Sequence, residues 1–431
     1  DQRFEVLAGG RRGKIERHQT LRATIDWSYE LLDPDEQRLL DRVAVFTGGW
    51  TLPAAEAVCS GGVVDEASVF SLMERLVARS LVVAEDLGIQ TRYRLLETIR
   101  QYSEERLADL EETEELRRRH AEYYLELADE LRDGIEGPDQ VECGRRLSFE
   151  HENILAGVGF AVETGDTDFA LRFVRAVPGP AMQTGFMLRL PVEELLDLPG
   201  ARDHADYAFV LAAAGSFAAT AGRLEQAVRY VDEADGANAG TDTEVTPRVE
   251  FMIPAVRGMI GIASGDWRVA AAHAELAAEA ARALPSLPWE ASQLIAAAQW
   301  RGLVGDVDAA RPLATEALQA ARGSGAPSYI VLALFGLASV LADSEPPRAR
   351  ELLHEGVDLA GSIGLEHAYI FTNGVLVAGR LRDWPLALDM AAHSIPFLHW
   401  NGDRPYLAGV LNITARSLVD DDPDTATTLL G

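Results

Sequence analysis

The stretch Gly265-Asp266-Trp267-Arg268-Val269-Ala270-Ala271-Ala272-His273-Ala274-Glu275-Leu276-Ala277 carries the pattern that decides the fold. A glycine and an aspartate make a turn, and small residues then recur at Ala270, Ala274 and Ala277, along one face of a helix. The same mark stands at Ala227/Val231/Ala234, Ala310/Ala314/Ala317, Ala349/Leu353/Gly356 and Ala387/Ala391/Ser394, and begins again at Ala426/Leu430. Successive marks lie 43, 40, 39, 38 and 39 residues apart. Turn residues at Gly222-Arg223, Gly305-Asp306 and Arg382-Asp383 precede three more of them. Small residues let two antiparallel helices approach closely, and the turn ends the first helix of each pair. The repeat predicts an α-helical solenoid in which each pair buries its apolar face on its neighbours.

The period is longer than the about 34 residues of a tetratricopeptide repeat (TPR), so the excess is expected in loops such as Ala237–Pro247. Upstream the character changes. Gln19–Leu32 reads as a helix, and Asp33-Pro34-Asp35-Glu36 starts another with an N-cap, a proline in the first turn and a capping-box glutamate. Thr51-Leu52-Pro53 opens a third, short helix, and Asp65–Ser80 is amphipathic through Val69, Leu72, Met73, Leu76 and Val77. Leu81–Glu85 and Gln90–Leu95, joined by a turn at Asp86-Leu87-Gly88, predict a β-hairpin, and a long charged helix follows from Glu97. Helices followed by a hairpin predict a winged-helix domain. The fold class is therefore mainly α, an N-terminal winged helix followed by a TPR-like solenoid.

Charge bounds the function. The chain has 39 Lys and Arg against 68 Asp and Glu, a net charge of −29 over 431 residues. Such a field repels phosphate backbones, so direct nucleic-acid contact is not expected. Two cysteines, Cys59 and Cys143, are too few for a disulfide scaffold or a cysteine zinc site, and reduced thiols point to the cytoplasm. The longest solidly apolar run, Ile330–Ala342, falls short of the about twenty residues a membrane span needs. The chain opens without an initiator Met and stops at Leu429-Leu430-Gly431 inside a helical pattern, so it is expected to be part of a longer polypeptide.

Motifs that could carry chemistry read more plainly as structure. Gly9-Gly10-Arg11-Arg12-Gly13-Lys14-Ile15 lacks the first glycine and the Ser or Thr of a phosphate loop, and reads as a basic surface loop. The candidate recognition helix, Ser71–Arg79, offers two arginines whose neighbours are needed for the core, so intramolecular packing is expected. Arg117-Arg118-Arg119 sits among Glu111, Glu112, Glu114 and Glu115 and is expected to form i to i+4 pairs. His120-x-Glu122, and the pair His393 and His399, have no ligand spacing. With no nucleophile elbow and no paired acids singled out, neither a catalytic constellation nor a metal or cofactor site is expected in this segment.

Several stretches resemble bacterial STAND-type ATPase regulators. These are Arg17-His18-Gln19-Thr20-Leu21-Arg22-Ala23-Thr24-Ile25-Asp26-Trp27-Ser28-Tyr29, Val45-Phe46-Thr47-Gly48-Gly49-Trp50 and Tyr93–Tyr102. Arg119–Tyr124 and Glu150-His151-Glu152-Asn153-Ile154, followed by Glu163-Thr164-Gly165-Asp166, are similar as well. The resemblance is to transcriptional regulators of the LuxR and SARP kinds, in which an NB-ARC ATPase precedes a winged helix and TPR-like repeats. It implies that residues 1–18 end the NB-ARC region and that ATP or ADP binds the full-length protein upstream. Residues 19–112 would be the winged helix, 113–205 linking helices and irregular first repeats, and 206–431 the TPR-like repeats. It also places Leu95, Leu96 and Glu97 on the family's nucleotide-contacting Met-His-Asp motif. Glu97 keeps the acid, and Leu96 stands where the family has His.

In TPR proteins the ligand-facing positions lie on the first helix of each pair. Carried over, that frame selects Phe209, Ala212, Ser216, Met252, Ala255, Met259, Ile262, Ser292, Ile295, Gln299, Tyr369, Thr372 and Leu376. None is charged, which suits docking of an amphipathic helix or hydrophobic peptide, with charge pushed to the other side. The alternative is a tight superhelix in which these residues bury one another. Together these features predict the regulatory and sensing portion of a STAND-type regulator. The winged helix would be an intramolecular switch, and the solenoid would bind a protein, a peptide or a small effector in signal transduction. A protein–protein scaffold without switching and a small-molecule inducer sensor are the alternatives.

Overall fold

The computed structural model describes residues 22–88, 90–109, 111–176, 190–239, 245–284, 286–364, 370–401, 404–419 and 422–430. It divides into two compact units, residues 1–127 with 149–161, and residues 128–148 with 162–431. The sequence stretch 113–205 is thus divided between them, and the expected NB-ARC remnant at 1–18 and the loop Gly9–Ile15 lie outside the described residues.

In the first unit, α1 spans residues 22–30. Pro34–Arg42 forms α2, begun by the predicted capping box: the Asp33 carboxylate accepts from the Asp35 and Glu36 amides, and Glu36 accepts from the Asp33 amide. Leu52–Cys59 (α3) is capped by Thr51, and Glu66–Ala78 (α4) buries Val69, Leu72, Met73 and Leu76. Val83–Asp86 (β1) and Thr91–Arg94 (β2) pair antiparallel, and Trp50 forms an isolated bridge with Tyr93. The order helix, bridge, helix, helix, hairpin is that of a winged helix. Its core gathers Leu39, Leu40, Val43, Phe46, Trp50, Val58, Leu72, Met73 and Leu76. Gly49 has φ +82, and a Cβ there would sit 2.7 Å from the Tyr93 carbonyl oxygen, so the close approach of this turn to β2 requires glycine.

The charged segment after the hairpin differs from the expected single helix. It forms Glu97–Ala108 (α5) and Thr113–Ile135 (α6), with a break between. The Glu112 carboxylate in the break is held by Arg38 and Arg42 of α2, at 2.8 and 2.6 Å. After α6 come Gln140–Phe149 (α7), His151–Thr164 (α8), Thr167–Ala176 (α9) and the short Val192–Leu196 (α10).

The second unit is built mainly of helix pairs: Tyr207–Thr220 with Leu224–Asn238 (α11, α12), Thr246–Ala263 with Trp267–Ala281 (α13, α14), and Leu287–Leu303 with Val307–Ser324 (α15, α16). Pro327–Leu341 with Pro346–Ser362 (α17, α18), Ile370–Arg380 with Trp384–Asn401 (α19, α20), and Arg404–Leu418 with Pro423–Leu430 (α21, α22) complete it. The small-residue marks all fall on the second helix of a pair, and Ala270, Ala274, Ala277, Ala310, Ala314 and Ala317 are buried. Asp266 and Asp306 cap α14 and α16 by accepting from the Val269 and Ala309 amides. Gly222, Gly265 and Gly305 take positive φ in the turns, and Arg382 occupies the same left-handed region at φ +56. Among the described residues no helix is long and apolar enough to cross a membrane.

Candidate interaction surfaces

A buried polar cluster ties the wing to the start of α8. Arg92, on β2, forms an ion pair with Glu150 and donates to the carbonyl oxygens of Gly48, Gly49 and Phe149 at 3.0–3.1 Å. The Asn153 amide group donates to Gly49 O at 2.8 Å and to Glu150, while its oxygen accepts from the Thr47 amide at 3.0 Å. That oxygen also faces His120 Nε2 at 3.2 Å, so the neutral ring carries its proton on Nε2. His120 packs in an aromatic box with Phe46 and Tyr124, ring centroids 5.4 and 4.7 Å away. Burial pushes its pKa down to about 4. Four stretches of the STAND resemblance therefore meet here: Thr47, Gly48 and Gly49, then Tyr93, His120, and Glu150 with Asn153. The contribution of Arg92 was not legible, because it acts on partners up to 58 residues away.

The outward face of α4 carries Glu66, Phe70, Ser71, Glu74, Arg75 and Ala78. Arg75 and the C-cap residue Arg79 bend back toward the start of α2. Arg75 reaches Asp33 at 3.3 Å and Glu36 at 3.1 Å, and Arg79 reaches Glu36 at 3.4 Å and the Leu31 carbonyl. On the wing, Arg94 pairs with Glu85 at 2.8 Å. Arg118 and Arg119 depart from the expected helix pairing. Arg119 donates to the Ser60 and Ala57 carbonyls, and Arg117 and Arg118 lie over the Phe160 ring at 5.3 and 5.7 Å. Arg119 thus reaches carbonyls at the C-terminal end of α3 rather than a neighbouring glutamate. Glu97 sits at the start of α5, where it accepts from Arg100 and Gln101, and the Arg100 hydrogen bond lowers its pKa.

In the second unit the frame carried over from TPR proteins needs correction. Phe209, Met252 and Ile295 are only 3%, 7% and 1% exposed, because alanine-lined partners close on the first helices. They belong to the core. Met259, Ile262 and Gln299 are half-buried, and Tyr369 lies outside the described residues. Apolar side chains reach solvent mainly on second helices and at turns instead, as at Val228, Val269, Leu276, Leu303 and Val307. Trp267 stacks on Trp300 at 5.5 Å beside them. A shallow pocket of about 290 Å³ opens between α12, α13 and α14, lined by Val231, Asp232, Arg257, Ile260, Val269 and His273. Arg257 there is held by Asp232 and Asp235 at 3.1 and 2.8 Å, and burial, with Arg257 nearby, lowers the His273 pKa.

A further buried group lies among the first turns of α13, α15 and α17. Glu136 and Gln140, at the two ends of the turn between α6 and α7, lie beside Arg248, Ser286, Trp289, Ser328 and Tyr329. Burial raises the Glu136 pKa. Sequence reasoning missed this group, since its members are drawn from four distant segments.

The comparisons with known proteins follow this division. Residues 32–108 match the winged helix-turn-helix domain model. Proteins of Mycobacterium tuberculosis and Mycobacterium bovis named as HTH-type transcriptional regulators are 42% identical over 177 residues, 41% of this chain and 20% of theirs. An uncharacterized protein of Mycobacterium tuberculosis is 34% identical over 139 residues, 31% of this chain and 35% of its own. The chain thus spans about a fifth of the regulators it matches. Among solved structures, a STAND protein with a tetratricopeptide repeat sensor from Pyrococcus horikoshii aligns over 93% of this chain and 62% of its own, at 15% identity and TM-score 0.43. A Rap protein complexed with competence and sporulation factor aligns over 77% and 89%, at 15% identity and TM-score 0.47. What stands is a winged helix-turn-helix domain followed by a TPR-like helical solenoid, in a chain similar to part of HTH-type transcriptional regulators.

Proposed function

We propose that this chain is the regulatory and sensing portion of a STAND-type ATPase transcriptional regulator of the LuxR or SARP kind, acting in the cytoplasm. An NB-ARC domain upstream binds ATP or ADP, and this segment performs no catalysis. The winged helix is the switch element, and the solenoid takes a protein, peptide or small effector whose binding shifts the off/on equilibrium of the whole molecule. The observation that carries this reading is the convergence, in one buried cluster, of the stretches that resemble STAND regulators. Thr47, Gly48, Gly49, His120, Glu150 and Asn153 meet around Arg92, so the shared residues hold one turn, the wing and α8 in a fixed relation. Such fixation is what a switch element needs to move as a single piece.

Exchange of a fluorescent ADP analogue from the full-length protein tests it, with and without residues 206–431. At least a tenfold change in exchange rate supports a sensor that restrains the ATPase. Equal rates leave a scaffold. The helix-turn-helix match favours a second reading, DNA binding through α4. Against it stand the inward engagement of Arg75 and Arg79 and the acidic balance of the outward face.

A further inference from the structure

We infer that the turn between α6 and α7 is a strap. It caps the first helices of three successive repeats from outside, so that α13, α15 and α17 are held at their N-terminal ends by one element. The inference goes beyond the sensor role and stands independently of it.

A helix leaves its first backbone amides unpaired, and a side-chain oxygen at the cap satisfies one or more of them. The two kinds of helix in these repeats meet this need differently. The second helices α14 and α16 are capped from within, by Asp266 and Asp306. The first helices α13, α15 and α17 start after Val245, Ser286 and Ala326, and none of these makes a side-chain cap hydrogen bond. Valine and alanine have no side-chain oxygen to offer.

At α17 the missing acceptor arrives from 188 residues away. Gln140 Oε1 accepts from the amide of Ser328, in the first turn of α17, at 2.8 Å, and both residues are fully buried. Pro138 packs beside Gly325, in the link that leads into the same helix. At α15 the Glu136 carboxyl faces the cap residue Ser286 and the indole of Trp289 in the first turn, both buried. At α13 it lies in the field of Arg248, again in the first turn. Burial, which raises the Glu136 pKa, marks the carboxyl as enclosed by these helices rather than aimed at solvent. One short turn thus stands at the same end of three repeats.

A strap must also be stiff. The Gly137 amide donates to Gly134 O and the Gln140 amide to Gly137 O, both at 3.2 Å, and the Cys143 amide donates to Asp139 O at 2.9 Å. The turn is therefore hydrogen-bonded from the end of α6 into α7. Behind it, Gly134 lies so close to Cys143 that a Cβ would overlap the sulfur, which keeps the two helices together. Glu136 and Gln140 consequently move as a pair, and loosening the contact at one helix loosens the others.

Hydrogen exchange of the whole chain, read by mass spectrometry, tests this through Gln140→Ala, which removes the acceptor at α17 and leaves Glu136 in place. Exchange should quicken at least about fivefold, the equivalent of one lost hydrogen bond, at the first turns of α13, α15 and α17 together. The first turns of α14 and α16 should keep their rates, because their caps are local. A response confined to α17 overturns the strap, since Gln140 would then cap a single helix. Equal quickening at α14 and α16 overturns it as well, because whole repeats would then have lost stability, and so does an unchanged pattern throughout. If Gln140→Ala does not fold, Gln140→Asn withdraws the same oxygen by one methylene and is read in the same way.

Discussion

His120 is a neutral imidazole kept dry by Phe46 and Tyr124 and oriented by Asn153. Its folded pKa of about 4 lies below the ordinary value of 6.5, chiefly through burial, with Arg117 adding to the shift. The unfolded chain therefore binds a proton more readily between these values. The stability His120 contributes is complete above about pH 6.5 and is lost as pH falls toward 4. Asp41 acts in the opposite sense. Burial raises its pKa to about 6, against the opposing effects of the Tyr29 hydrogen bond and Arg106, so the folded state gains stability as pH falls from about 6 toward 3.8. His120→Gln separates the two, because it removes one titration and leaves the other. Thermal midpoints measured from pH 7.5 to 4.5 should fall less for this variant than for the unaltered chain. Parallel falls would mean that His120 is not the group that titrates.

At the scale of elements, local signals were legible and distant ones were not. The capping box at Asp33 and Glu36, the α4 core stripe and the hairpin are each written in a few adjacent residues, and each stands in the structure. The helix pairs were legible because a small residue is required wherever two helices touch. Gly356 shows how strict this is, since a Cβ there would meet the Phe335 ring at 2.5 Å. The same closeness explains why Phe209, Met252 and Ile295 turned inward: small second helices draw the first helices into contact on both sides. The positions of Arg92 and Glu136 were illegible because no periodicity records a bond made across a fold. Charge on α4 is likewise decided at this scale. Arg75 and Arg79 serve the fully buried Glu36, so Arg75→Ala/Arg79→Ala should cost about 2 kcal/mol of stability. In anisotropy with a labelled duplex at 50 mM salt, the full chain should show no binding for the variant to weaken. Duplex binding that disappears in the double variant would make α4 a DNA-reading helix after all.

For the molecule as a whole, the question is how a chain of net charge −29 stays folded. Part of the answer is arginines that bridge neighbouring repeats, Arg282 to Glu316 at 2.7 Å and Arg322 to Glu355 at 2.5 Å, with Arg311 paired to Glu345. Exposed pairs of this kind contribute about 0–1 kcal/mol each. They do not offset the rest, because 39 bases cannot neutralise 68 acids. Salt distinguishes the two contributions by distance. At 0.01 M the screening length is about 30 Å and repulsion acts across several repeats, whereas at 0.15 M it is about 8 Å. Pairs in direct contact lie well inside either length and lose little, while the long-range repulsion is largely removed. Added salt should therefore stabilise this protein. We expect the thermal midpoint to rise by at least about 1 °C between 10 and 150 mM NaCl, a shift equivalent to roughly 1 kcal/mol for a chain of 431 residues. A midpoint that falls over that range would mean that the bridging arginines, rather than the excess of acids, govern the electrostatics of the folded chain.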